Sequence, residues 1–143
     1  MLTLTKPGNF QPKFEVVACF VQFAGKILLL LRQDHKNEPN TYGTPAGKVE
    51  LGESIDSAME RELFEETGLH NKARYFNTVY VQYNDYDFIY HMYSLELVEE
   101  PTITINSKEH KSYIWKTPEE ALQENLIQDL DACIQMFFSP ENI

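Results

Sequence analysis

Apolar residues along the chain fall into runs with two different periods. Phe14 to Phe23 and Lys26 to Arg32 are rich in β-branched, aromatic and leucine residues and are separated only by Ala24-Gly25, the pattern of a β-hairpin. Ile27 to Leu31 contains no polar residue, so that strand is expected to be buried on both faces. Two more strands are predicted at about Tyr75 to Tyr83 and Asp87 to Val98, joined at Asn84-Asp85-Tyr86. In the second, both alternating sets are largely apolar: Phe88, Tyr90 and Met92 on one side, Ile89, Tyr93, Leu95 and Leu97 on the other. Such a strand belongs in the middle of a sheet with material on both faces. A shorter strand is predicted at Ser112 to Lys116.

Helical spacing begins at Ser54. That residue is a suitable N-cap, Met59 and Leu63 stack at i and i+4, and Gly68 follows the last periodic residue, so a helix is predicted from Ser54 to Thr67. Thr117-Pro118-Glu119-Glu120 reads as a capping box with proline at the first helical position, opening a helix to about Gln123. Leu126, Leu130, Cys133, Ile134 and Phe137 then predict an amphipathic helix from Leu126 to Phe138, ended by Pro140. Residues 1 to 13, with Pro7, Gly8 and Pro12, read as an irregular lead-in, and Gln33 to Gly52 as a long polar loop of the kind that usually has a task. The sum is a three-layer α/β/α sandwich built on a mixed sheet, and 143 residues suit one such domain.

Composition changes the picture in one respect. Twelve Lys and Arg stand against 22 Asp and Glu, a net charge of −10, which argues against a protein that wraps a nucleic-acid polymer. An anionic substrate would then need a cation from solution, and a divalent metal is the natural one. Apolar runs such as Val16 to Val21 are far shorter than the roughly 20 residues of a membrane helix, and Met1 to Phe14 has no secretory pattern. Cys19 and Cys133, both in apolar surroundings, are expected to be buried reduced thiols of a cytoplasmic protein.

The chemistry concentrates between Gly47 and Leu69. Glu62, Glu65 and Glu66 are three and four residues apart, so their carboxylates project from one side of the predicted helix. Like charges at that spacing cost about 0.2 to 0.5 kcal/mol per pair, and the C-terminal half of a helix disfavours anions further. In so acidic a chain, glutamates on a helix are by composition alone only a solvated face. A hard divalent cation such as Mg²⁺ would instead relieve the conflict. Arg61, four before Glu65, and Glu53, near the helix start, can hold the carboxylates in position.

The complete pattern decides between those readings. Gly47, five residues, Glu53, seven residues, Arg61-Glu62-Leu63, one residue, Glu65-Glu66, one residue, Gly68-Leu69 resembles the full signature of the Nudix hydrolases. Thr41 to Ala46 resembles that family's approach loop, and the order of predicted elements resembles its sandwich. The resemblance implies an enzyme that cleaves a nucleoside diphosphate linked to another group, with water attacking phosphorus and Mg²⁺ or Mn²⁺ bound on the signature helix. By position, Glu62, Glu65 and Glu66 would be the metal ligands, Glu66 foremost, with Glu53 and Arg61 in support. Glu109, six residues before Trp115, matches a later-loop carboxylate that members use as a further ligand or general base, with His110 its competitor for the base role. Arg32 resembles a basic residue that holds substrate phosphate. Where many members have two glycines, this chain has Pro45-Ala46-Gly47. The family's metal-facing carbonyl would fall on Ala46, provided the backbone there does not need positive φ.

For the substrate, the resemblance implies a nucleotide bound by a monomer or homodimer. A small chain with a central signature is most similar to the MutT-like members that act on free nucleoside triphosphates, including oxidised or non-standard ones. Tyr86, 17 residues after Leu69, resembles a tyrosine of diadenosine polyphosphate hydrolases, which keeps dinucleoside polyphosphates and nucleotide sugars as alternatives. A non-catalytic Nudix-fold binding module would be favoured by lost signature glutamates, and none is lost. An isopentenyl diphosphate isomerase of related fold would need an active-site cysteine, and neither cysteine adjoins the signature in sequence.

Overall fold

A computed structural model describes residues 1–138. Its elements in chain order are β1 (Leu2–Thr3), β2 (Pro12–Phe23), β3 (Lys26–Arg32), β4 (Tyr42–Gly43), β5 (Ala46–Lys48), α1 (Ile55–Thr67), β6 (Arg74–Gln82), β7 (Asp87–Leu97), β8 (His110–Lys116), α2 (Pro118–Ala121) and α3 (Leu130–Phe138). The mixed sheet runs β1-β6-β7-β2-β3-β4, with β5 also on β2 and β8 also on β3. β2 and β7 are parallel and paired from Phe14↔Phe88 to Phe23↔Leu97, so β7 is central, as its doubly apolar pattern requires.

Alternation divides the core into two layers. Val17, Cys19 and Val21 of β2, Leu28 and Leu30 of β3, and Tyr93 and Leu95 of β7 pack with Met59 and Leu63 of α1. Phe20, Ile27, Leu29, Phe88 and Met92 point to the other face and pack with Leu130, Cys133 and Ile134 of α3. Both cysteines are buried and free. None of the helices among the described residues is long and apolar enough to cross a membrane.

The β2–β3 hairpin pairs only at Gln22↔Ile27 and Phe23↔Lys26. Below that point the two strands part: β2 takes β5 as its neighbour at Val16, Val17 and Ala18, and β3 takes β4 at Leu30 and Leu31. The segment expected as one long loop therefore contributes two short strands that fill a split in the sheet. This split brings residues from both faces together.

Other boundaries differ from the sequence expectation, among them the start of β8, at His110 rather than Ser112. The lead-in is partly ordered, since β1 pairs with β6 and β2 already begins at Pro12. α3 starts at Leu130 rather than Leu126: Leu126 bridges Tyr42, the Tyr42 N–H donates to the Asn125 carbonyl at 2.8 Å, the Ile127 N–H donates to the Tyr42 carbonyl at 3.0 Å, and Asp129 has φ 68°. Leu126 is apolar because it joins the core from an extended segment. Pro140, expected to end this helix, lies outside the described residues.

Candidate active site

α1 is capped as its sequence requires. The Ser54 hydroxyl accepts the Ser57 N–H at 3.1 Å, and Gly68 takes φ 79° at the other end, donating to the Phe64 carbonyl. The capping box before α2 is likewise present, with Thr117 and Glu120 bonded reciprocally. Burial of Met59 and Leu63 against the sheet fixes the rotation of α1 and turns its acidic side toward β5.

Arg61 organises that side. Its guanidinium donates to both oxygens of Glu53, at 2.8 Å through Nε and 2.9 Å through Nη2, to the Lys48 carbonyl at 3.0 Å, and to Glu62 at 2.8 Å. The forked geometry is the strong, directional form of an arginine–carboxylate pair. Hydrogen bonding from Arg61 holds the Glu53 carboxyl down at about 2 and raises the guanidinium further above its already high value. Glu65 stands apart, its side chain 50% exposed and 3.4 Å from Arg61.

Glu66 is 8% exposed and accepts the Ala46 N–H at 2.8 Å. Burial pushes its carboxyl up to about 8; the Ala46 N–H opposes this, and the nearby charges of Glu62 and Glu109 reinforce it. Burial likewise raises Glu62 against the pull of Arg61. Neither Ala46 nor Gly47 has positive φ, so alanine is accommodated where a second glycine was expected. Gly47 is needed for a different reason: a Cβ there would stand 2.0 Å from Cδ of Glu62.

These groups open into a cleft of about 450 Å³. Glu62, Glu66, Ala46 and Glu109 line one end, with Arg32, Lys36 and His110 beside them. Lys36 pairs with Glu109 and is the main reason that its carboxyl lies below the usual range. His110 is 5% exposed; burial, aided by the charge of Arg32, depresses its imidazole to about 4, and its Nδ1 has no hydrogen-bond partner. Arg32 is steadied by Asn37, donating to its carbonyl at 2.8 Å and to its side-chain oxygen.

The other end is aromatic. Phe14, Tyr83, Tyr86, Phe88 and Tyr90 form its floor and Ile127 to Leu130 its wall, with Cys133 behind. Phe14 stacks on Phe88 at 5.2 Å between centroids, and Tyr86 lies 5.6 Å from Phe14 and 5.9 Å from Phe88.

Of the residues singled out in the sequence, Ala46, Glu62, Glu66, Glu109, His110, Arg32 and Tyr86 therefore meet in one cleft. Glu53, Arg61 and Glu65 lie behind or beside it. Lys36, Phe14 and Asp129 had no local signal, since only the sheet and the strand split carry them there.

Among the described residues no three side chains of metal-ligating type are gathered into a cage, because Glu62 is drawn to Arg61 and Glu109 to Lys36. The donor set nevertheless suits a hard divalent cation. Buried and half-buried carboxylates whose charges oppose one another line one cleft, oxygen donors of the kind Mg²⁺ takes.

Comparison with known proteins agrees with this geometry. The NUDIX domain family matches residues 12–137. The chain is 34% identical over 111 residues to the CTP pyrophosphohydrolase of Escherichia coli, covering 76% of this chain and 79% of that protein. It is 44% identical over 57 residues to an NAD-capped RNA hydrolase of Haemophilus influenzae, a match spanning 38% of this chain and only 22% of that one. In three dimensions it resembles the crystal structure of a MutT protein from Methanosarcina mazei, with TM-score 0.80 and 22% identity over 93% of this chain and 98% of the other. The family model spans nearly the whole described chain and the fold agrees with it: the chain belongs to the NUDIX family and is a Nudix hydrolase, an enzyme of phosphoric anhydride bonds.

Proposed function

We propose that the chain hydrolyses nucleoside triphosphates, oxidised or non-standard ones among them, in a reaction that needs Mg²⁺ or Mn²⁺. The observation that carries this reading is the two-ended cleft, whose acidic end with Arg32 and Lys36 suits a polyphosphate and whose aromatic floor suits a base. Similarity to a CTP pyrophosphohydrolase over most of both chains supports it.

Glu62, Glu65 and Glu66, with the Ala46 carbonyl, would hold the cation, and Glu109 would serve as the base instead of a further ligand. When bound, the cation supplies neutralisation of the pyrophosphate and acidification of the attacking water. Arg61, itself clamped by Glu53, fixes the Glu62 carboxylate so that it need not be ordered during the reaction. Arg32 and Lys36, which line the same end of the cleft, would face the phosphates. Glu109 takes the proton of the attacking water in preference to His110, because it is ionised at neutral pH and open to the cleft, whereas the imidazole is buried. The water oxygen bonds to phosphorus, the bridging P–O bond breaks, and the departing phosphate or pyrophosphate carries away the bond's electrons.

Release of phosphate and of pyrophosphate, measured with Mg²⁺ on nucleoside triphosphates, oxidised nucleotides, nucleotide sugars, ADP-ribose and dinucleoside polyphosphates, tests this reading. A nucleoside triphosphate should be preferred, and Glu66→Gln should lower its turnover at least tenfold while the protein stays folded. Unchanged turnover in that variant at saturating Mg²⁺ would remove Glu66 from the ligand set.

A further inference from the structure

A nucleotide carries its sugar between base and phosphates, so the sugar belongs where the two ends of the cleft meet. Glu38 stands at that junction, and no step above uses it. It lines the cleft and follows Lys36 and Asn37 of the acidic end directly in sequence. Its Oε1 accepts the Gln128 N–H from the wall of the aromatic end at 2.7 Å. Tyr83 in the aromatic floor registers its charge: the hydroxyl there is raised by burial, by Asp129 and next by Glu38.

The residue is exposed yet held in place. It sits at φ 50°, a left-handed conformation that glutamate takes only at some cost. The Thr41 hydroxyl donates to its carbonyl at 2.6 Å, and the Asn40 N–H donates to the Arg32 carbonyl at 3.2 Å. Lys111 fixes the same loop by donating to Asp34 at 2.7 Å and to the Asn40 side chain at 2.6 Å. A carboxylate has about four lone-pair positions, so the bond to Gln128 leaves room for a further donor. An acceptor already fixed between a phosphate end and a stacking floor is a pre-organised partner for a sugar hydroxyl.

Resting on the nucleotide reading above, we propose that Glu38 reads the ribose 2′-hydroxyl, so that the cleft takes ribonucleotides in preference to their 2′-deoxy counterparts. An ionised carboxylate can only accept, and the 2′-hydroxyl is a donor that deoxyribose lacks. A carboxylate that has exchanged water for a sugar C–H is left without its partner, which is how a site built for a hydroxyl rejects the analogue missing it. Acidic side chains take the ribose 2′-hydroxyl in the same way in dinucleotide-binding folds. Arg32 and Lys36, in the same cleft, offset the repulsion that a carboxylate would otherwise exert on the phosphates.

The test compares the common ribonucleoside monophosphates with their 2′-deoxy counterparts in binding by calorimetry, and the matching triphosphates in kcat/KM, in the unaltered chain and in Glu38→Gly. Glycine adopts left-handed φ freely, so the path of the loop is kept while the carboxylate is removed. For the base bound most tightly, the unaltered chain should favour the ribonucleotide at least tenfold, and Glu38→Gly should bring the ratio below threefold. A loop that merely loosened would weaken both sugars alike, so a ratio unmoved by the substitution overturns the assignment. Equal use of both sugars by the unaltered chain, or preference for the deoxynucleotide, overturns it as well. A binding preference that glycine removes, without turnover, breaks the hydrolase reading and leaves Glu38 standing. Turnover that Glu66→Gln abolishes, with an unmoved sugar ratio, does the reverse. Absence of binding and turnover across every pair overturns both.

Discussion

The two ends of the cleft are built by opposite means. Glu53, Arg61, Glu62, Glu65 and Glu66 come from one short stretch of chain, placed by helical spacing and by hydrogen bonds within that stretch. Phe14, Tyr83, Tyr86, Phe88 and Asp129 come from strands and turns far apart in sequence, placed by the parallel β2–β7 register and by the leader of α3. The acidic end concentrates charge on a few side chains, and Glu53, Arg61, Glu62 and Glu66 have shifted acidity. The aromatic end shares its contacts among several rings. A single substitution should therefore do much more at the first end than at the second.

Gly47→Ala tests the acidic end without removing any charge. The new methyl would meet the end of the Glu62 side chain, which can swing aside more cheaply than backbone can. Turnover should fall at least tenfold, as the carboxylate leaves the position that Arg61 holds, while the melting temperature moves by no more than a few degrees. A large loss of stability with activity preserved in the remaining folded protein would show that Gly47 serves packing alone.

A titration of metal-free protein sharpens the same point. Glu66 is raised from its ordinary 4.5 to about 8, so between those values the folded chain keeps a proton that the unfolded chain has released. Its contribution to stability is therefore full at low pH and is lost as pH rises toward 8. His110, lowered from 6.5 to about 4, acts in the opposite sense, and its contribution is lost as pH falls between those values. The interval from about 6.5 to 8 isolates Glu66: stability should fall there by up to about 2 kcal/mol, and Glu66→Gln should flatten the curve. Denaturant unfolding at a series of pH values reads this directly, and a slope unaffected by the substitution would count against the buried carboxyl.

The smallest effect is expected at the aromatic end. Tyr86→Ala removes one ring while Phe14, Tyr83 and Phe88 remain. KM for the preferred nucleotide should rise roughly fivefold, the low end of what one base–aromatic stack contributes, with kcat changed less than twofold. A fall in kcat of the size caused by Glu66→Gln would mean that the two ends are not separable.

This division also explains what could be read in advance. The hairpin, α1 with both caps, the capping box before α2 and the central position of β7 all follow from residues close together in sequence. So does the acidic set from Glu53 to Glu66, because a helix converts spacing of three and four directly into proximity. Glu109 and Arg32 are marked only by resemblance, and the helical spacing places Leu126 in the wrong element because an apolar residue in a bridge looks the same in sequence as one on a helix.

By itself, then, the sequence determined the family, the sandwich and the chemistry of one end of the cleft, since those rest on local periodicity and short-range hydrogen bonding. The tertiary structure alone decided that β2 and β3 part to admit β4 and β5, that Lys36 meets Glu109, and that Asp129 joins the aromatic end of the cleft. The reason is physical: these contacts join residues whose separation along the chain carries no period, and they exist only once both layers of the core have packed.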